Sequence, residues 1–412
     1  MRCLPWSGVL WIGLCLPLGG SLGGQEWARF RGPNGSGQAA PADIPSTWTE
    51  RDYKWRVELA GEGHSSPVLW GDRLYATSAD EGATQHVYCL DAGSGRTVWQ
   101  KRFACKACPK NTLNAFAAST PAVDAHRLYV AWATRECYIL VALGRQDGRE
   151  AWRRDFGPFE GEHGFGASPI VYEDLVIVPN DQDGRSSLMA VDGASGQTRW
   201  SVPRRSRKAG YSTPILYTPP GGRPQLITST WAHGLSSLDP ETGVLLWELG
   251  VLDHRTVGSP LAAAGLIFAA CGEGGSGKKM VAIRPSDPNK KTEAAVAYPI
   301  TGKLPYVVTP VARGNLLFLW ADQGTVTCLD APTGKRLWQE RVPRSFFGSP
   351  VCVGDRLYAI SRDGKAVVLA AAERYKLLGE VDLGEPSQST PAVAGGVLYL
   401  RTRSHVMALA GR

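Results

Sequence analysis

Nine side chains, each a few residues ahead of a Ser/Thr-Pro pair, could bind a ligand or handle a proton: His64, Phe116, His163, Phe165, Tyr211, His254, Tyr306, Phe347 and Gln388. Gathered at one place, imidazole, phenol, phenyl and amide groups would make a concave aromatic pocket with a few polar anchors. That is the usual form of a site for a small molecule or a peptide segment. The same rings could equally plug a channel and satisfy backbone groups. Their wide separation matches no metal-ligand spacing, so no metal is expected among them. No pair of carboxylates stands at a recognisable spacing, and no catalytic residue is assigned.

Three other motifs lead away from chemistry. "GEGGSGKK" (Gly272 to Lys279) begins like a phosphate-binding loop, but Lys279 stands where a hydroxyl is required and "MVAIRP" continues as a strand rather than a helix. It reads as a hairpin turn. "NDQDGRSS" (Asn180 to Ser187) resembles a calcium loop, yet Pro179 occupies the first ligand position and no Glu closes the loop. "CKAC" places Cys105 and Cys108 in a polar insertion. That pair could close a local disulfide, stay as thiols or take a metal, although no second pair completes a zinc set.

The elements that must position these residues are repeated ones. "LDAGSGRTVWQ" (Leu90 to Gln100) is written again as "LDAPTGKRLWQ" (Leu329 to Gln339). A Gly followed four residues later by Trp recurs at Trp99, Trp152, Trp200, Trp247 and Trp338, with spacings of 53, 48, 47 and 91 residues, so one repeat has lost its Trp. Eight Ser/Thr-Pro-apolar markers begin at Ser66, Thr120, Ser168, Thr213, Ser259, Thr309, Ser349 and Thr390, 40 to 54 residues apart. Units of this length, rich in β-branched and aromatic runs and in glycine turns, predict an all-β, eight-bladed β-propeller of four-stranded antiparallel blades. The marker opens each innermost strand, where a missing N–H is tolerated, and the Trp begins each outermost strand. "YKWRVEL", with Trp55 at the Trp position, has no blade before it, while "HVMALAG" near the C-terminus has no strand after it. The N-terminal strand is therefore expected to complete the last blade, which removes both open edges. The six tryptophans, Trp55 included, are expected to be structural.

Composition supports a folded, turn-rich protein: 48 Gly, 28 Pro and 14 Trp, with 43% apolar residues for a core. The net charge of +7 is mild and scattered, and only "RRSRK" (Arg204 to Lys208) is dense. No nucleic-acid partner is expected from that pattern. Residues 1–24 read as a secretory signal, with Arg2, a short apolar run and a small-residue cleavage site. Residues 25–51 then form an N-terminal extension and 52–412 the propeller. Cys15 raises the question of a lipid anchor, but Leu14 occupies the position where a small residue is wanted. No transmembrane segment is expected, and the chain is read as an exported monomer of the periplasm or cell envelope.

The "LDxxTGxxxW" pattern with its downstream Ser/Thr-Pro resembles the repeat of pyrroloquinoline-quinone-type propellers. That superfamily includes quinoprotein alcohol dehydrogenases and the propeller lipoprotein of the Bam outer-membrane assembly complex. "WARFRGPNGSG" (Trp27 to Gly37), "HGFGASPIVYEDLVIVPNDQDG" and "LYLRTRSHVMAL" are similar to exported single-propeller proteins of planctomycete-type bacteria. The quinone enzymes stack their cofactor between a Trp and a ring formed by adjacent cysteines, with calcium beside a catalytic Asp. No two cysteines are adjacent here. The resemblance therefore implies a non-catalytic binding or assembly scaffold with a protein or peptide partner and no cofactor. A quinone-dependent oxidoreductase is the alternative, and a carbohydrate-binding or carbohydrate-active propeller the third reading.

Overall fold

The computed structural model describes residues 26–107, 110–205, 207–286 and 292–411. The expected leader, Cys15 and Cys108 lie outside the described residues, and with Cys108 so does the expected Cys105–Cys108 disulfide.

Eight blades of four antiparallel strands each form a propeller, and two of these sheets gain a fifth strand from the N-terminal segment. Blade 1 runs through Val68–Trp70, Arg73–Ala79, Gln85–Asp91 and Thr97–Phe103. The two middle strands of a blade are buried on both faces because neighbouring blades stack on them. Stretches such as "RLYVAWA" and "YILVALG" are therefore apolar throughout rather than alternating. The two copies of the eleven-residue stretch are the same hairpin in blades 1 and 6. "GEGGSGKK" spans the hairpin between Leu266–Glu273 and Ser276–Arg284. Among the described residues the only helical pieces are two short 3-10 turns, Pro33–Gly35 and Glu50–Asp52, and no helix is long and apolar enough to cross a membrane.

Tyr53–Glu58 pairs antiparallel with His405–Ala410, so the N-terminal strand is the outermost strand of blade 8 and the ring closes as expected.

The Ser/Thr of the marker has a reason beyond opening a strand. The Ser66 backbone N–H donates to Thr120 Oγ1 (2.9 Å), Thr120 N–H to Ser168 Oγ (3.0 Å), Thr213 to Ser259, Ser259 to Thr309, Thr309 to Ser349 and Ser349 to Thr390. Each hydroxyl satisfies a buried N–H of the preceding blade, which would otherwise cost about 1–3 kcal/mol. Blades 8 and 1 are tied in the opposite sense, by a donor: Arg401 Nη1 donates to Ser65 O (3.0 Å) and Ser65 Oγ (2.6 Å).

The outer ring is built from Trp and Gly. Trp55, Trp99, Trp152, Trp200 and Trp338 donate Nε1–H to a turn carbonyl of the next blade, at Ala92, Arg145, Gly193, Pro240 and Ala372. Trp247 differs, donating to Gln225 Oε1 of its own blade at 3.0 Å. The count of one lost Trp is corrected to two. Tyr298 takes the place in blade 5 and donates its hydroxyl to Ala331 O, while Gly379 takes it in blade 7. There the backbone of Ser46 lies where a side chain would stand, and the N-terminal extension supplies the missing cover.

That extension does more than lead into blade 8. Glu26–Trp27 adds a fifth strand inside blade 1, and Gln38–Ala39 pairs in parallel with Val351–Val353 of blade 7. Between them, Val123 of blade 2 donates its N–H to Ala28 O, and Asn34 exchanges two hydrogen bonds with the backbone of Leu216 in blade 4. Arg29 donates to Pro214 O of blade 4. Arg31, fully buried, donates to Pro310 O (2.6 Å) of blade 6 and Pro350 O (2.9 Å) of blade 7. The two arginines of "WARFRGPNGSG" thus take up carbonyls of the Pro markers themselves, and the segment crosses the central channel as a plug.

Candidate functional site at the channel mouth

Residues just ahead of the markers come together at one end of the channel around a cavity of about 520 Å³. Six of the nine expected positions line it: His64, His163, Tyr211, Tyr306, Phe347 and Gln388. Phe30, between the two plug arginines, contributes to its wall, as do Asn111, Asn114, Asp322 and Arg362. Sequence reasoning missed these five. Phe30 belongs to the extension, Asn111 and Asn114 stand nine and six residues before the Thr120 marker, and Asp322 and Arg362 each follow their marker by 13 residues.

Three expected residues lie elsewhere. Phe165 turns into the core, 4.7 Å from the Tyr138 ring and 5.3 Å from that of Phe159. Phe116 faces a small crevice with Cys105 and Phe165, with the Lys110 ammonium 5.1 Å from its ring. His254 stacks on Trp231 (5.8 Å between ring centroids) and bonds Asp253, outside the cavity. Insertions of differing length before the markers let these rings swing away, and equal distance from a marker does not mean equal direction.

The imidazoles of the mouth are neutral groups. His64 is pushed down to about 3 by burial, with Arg401 and Lys110 adding to the effect. His163 is also lowered, by burial first and then Arg255, and its Nδ1 lies 3.3 Å from Asn111 Nδ2. Burial raises the Tyr211 phenol to about 12, so it too stays neutral. Asp322 is the only carboxylate of the lining among the described residues. Its Oδ1 accepts the backbone N–H groups of Tyr306 (3.1 Å) and Val307 (3.0 Å), and Lys278 Nζ donates to Oδ2 at 3.3 Å. It is committed to holding the Tyr306 loop. Arg362 lies 4.6 Å over the Phe347 ring, a cation–π pair that sets an amphipathic wall. The site can stack a flat or apolar group and hydrogen-bond its edges.

Against known families, residues 83–299 and 290–412 match the model for the outer membrane protein assembly factor BamB. The chain belongs to this family. Among solved structures, BamB from Moraxella catarrhalis superposes with a TM-score of 0.64 at 16% identity, over 86% of this chain and 96% of that one. Quinohemoprotein alcohol dehydrogenase from Comamonas testosteroni gives 0.66 at 14% identity, over 94% and 81%. At these identities both show the shared fold. A polyvinylalcohol dehydrogenase from Pseudomonas sp is 27% identical over 240 residues, 53% of this chain but only 33% of that protein. The serine/threonine-protein kinase AfsK of Streptomyces griseus is 25% identical over 224 residues, 46% of this chain and 26% of that one. These matches span about a third and about a quarter of those relatives.

A quinone held beside calcium does not fit the mouth of this BamB-family chain. Among the described residues no Trp lines the cavity, the sequence has no adjacent cysteines, and Asp322 already has its oxygens engaged.

Proposed function

We propose that this protein is an exported, non-catalytic propeller of the cell envelope that holds a protein or peptide partner at its channel mouth. The observation that carries the reading is the cavity itself. It is bordered by the plug residue Phe30 and lined mainly by aromatic and polar groups, and its one carboxylate among the described residues, Asp322, is already engaged by backbone N–H groups and Lys278. Membership of the BamB family supports a partner of protein kind, and the absence of a fitting quinone shell weighs against the oxidoreductase alternative.

The discriminating experiment mixes purified protein with pyrroloquinoline quinone and calcium, removes free quinone, and follows bound chromophore and dye-linked alcohol oxidation. The scaffold reading expects neither signal. Stoichiometric chromophore with alcohol-dependent dye reduction would replace it with the enzymatic one.

A further inference from the structure

We propose that Asp253, His254 and Cys271 form a binding site for a thiophilic divalent cation of the zinc class. The three come from the loop entering blade 5 and from strand Leu266–Glu273 of that blade, and one ligand atom of each lies within 4.8 Å of the other two. Asp253 Oδ1 stands 3.0 Å from His254 Nδ1 and 3.8 Å from Cys271 Sγ. Zinc bonds of about 2.0–2.3 Å in a tetrahedron space sulfur, nitrogen and oxygen donors about 3.3–3.6 Å apart. The 3.0 and 3.8 Å spacings bracket that range and the remaining one lies within 4.8 Å, so an ion enters if that last pair closes by at most about 1.3 Å.

The fold holds these groups in place without the ion. The imidazole is clamped between the Trp231 indole, nearly parallel at 18°, and Gly277, where a Cβ would come within 2.6 Å of the ring. Gly277 has a positive φ of 63° and no side chain, which is what admits His254 there. A backbone bridge between Arg255 and Gly272 ties the loop to the strand carrying Cys271. Such clamping is the support that orients metal-binding histidines. Asp253 Oδ1 accepts from both the His254 imidazole and the Cys271 thiol. Binding breaks the S–H bond, forms a sulfur–metal bond and releases the proton to solvent. His254 then carries its proton on Nε2. A thiolate, an imidazole and one carboxylate suit zinc or cobalt rather than calcium or magnesium. The site is separate from the mouth reading, although Val257 and Gly274 of the cavity lining lie three residues from His254 and Cys271.

The test titrates the reduced full chain with Co²⁺ and reads the near-ultraviolet thiolate-to-cobalt charge-transfer band, with Zn²⁺ added afterwards to displace it. Cys271→Ser should abolish the band, which also separates this thiol from Cys105 and Cys137. His254→Gln should weaken binding about tenfold or more. Lys279, whose Nζ lies 3.5 Å from Asp253 Oδ2, repels an incoming dication, so Lys279→Met should tighten binding severalfold. That variant gains a signal, and misfolding does not imitate a gain. Absence of the band at millimolar Co²⁺, a band surviving in Cys271→Ser, unchanged affinity in His254→Gln, or no tightening in Lys279→Met would each overturn the site.

Discussion

The indole of Trp55 rests on Gly95 so closely that a Cβ there would stand 2.7 Å from the ring. Trp55 belongs to the strand that closes blade 8 and Gly95 to the outer turn of blade 1, so this contact fastens the two ends of the ring. The same contact recurs as Trp99 on Gly148, Trp152 on Gly196 and Trp200 on Gly243, each glycine having a positive φ. Gly95→Ala therefore meets two penalties, left-handed backbone and overpacking, together about 2–4 kcal/mol. Gly71, with a φ of 59° and open space around it, meets only the first. Chemical denaturation should show Gly71→Ala costing about 1 kcal/mol. Equal losses at the two sites would mean that the Trp seat carries no weight.

Removal of residues 52–59 takes away the outer strand of blade 8 and leaves His405–Ala410 with an unpaired edge. Exposed edges pair with one another. Light scattering should find the truncated protein more highly associated than the intact chain at the same concentration. A truncated monomer with an unchanged melting curve would contradict closure by this strand.

Arg31→Met should destabilise the fold by about 2–4 kcal/mol, because the Pro310 and Pro350 carbonyls lose a buried, charge-assisted donor. Arg31→Lys should recover little, since one ammonium cannot reproduce a planar fork that reaches two blades. Full rescue by Lys in thermal unfolding would show that charge alone matters in the plug.

His64 gives the stability a sign with pH. Its folded pKa, about 3, lies below the unfolded value near 6.5, so the unfolded chain takes up a proton that the folded one refuses. Stability from this group is complete above about pH 6.5 and falls as pH drops toward 3, by at most ~1.4 kcal/mol per unit. His64→Gln should flatten the acid limb of a plot of unfolding free energy against pH. An identical limb in the variant would place the acid sensitivity elsewhere.

The ring was legible because its physics repeats. Eight markers and a recurrent Gly-to-Trp spacing write one strand order eight times, and the unmatched "YKWRVEL" declares its own partner. The plug was not legible. Arg29 and Arg31 bind backbone carbonyls of Pro214, Pro310 and Pro350, and a carbonyl acceptor leaves no trace in residue types. The mouth was legible in part. His64, Tyr211, Phe347 and Gln388 stand two residues before their marker and line the cavity, whereas farther back the outcome depends on the loop: His163, five before its marker, lines it, and His254, also five before, does not. The Asp253, His254 and Cys271 cluster escaped detection because a hairpin, not a spacing, brings it together.

The central claim is that the channel mouth is the contact surface, and capture of envelope components by purified protein measures it most directly. Three proteins are compared: the intact chain, a rim variant with His163, Phe347 and Gln388 all changed to Ala, and an outer-turn variant with Ser94, Glu241 and Thr333 changed to Ala. All three rim side chains line the cavity and are at least partly accessible, while the turn residues are exposed at the periphery. The account predicts that the rim variant, folded by its melting curve, loses the captured species and that the turn variant keeps them. Capture retained by the rim variant and lost by the turn variant would contradict it, and would move the contact surface to the blade edges.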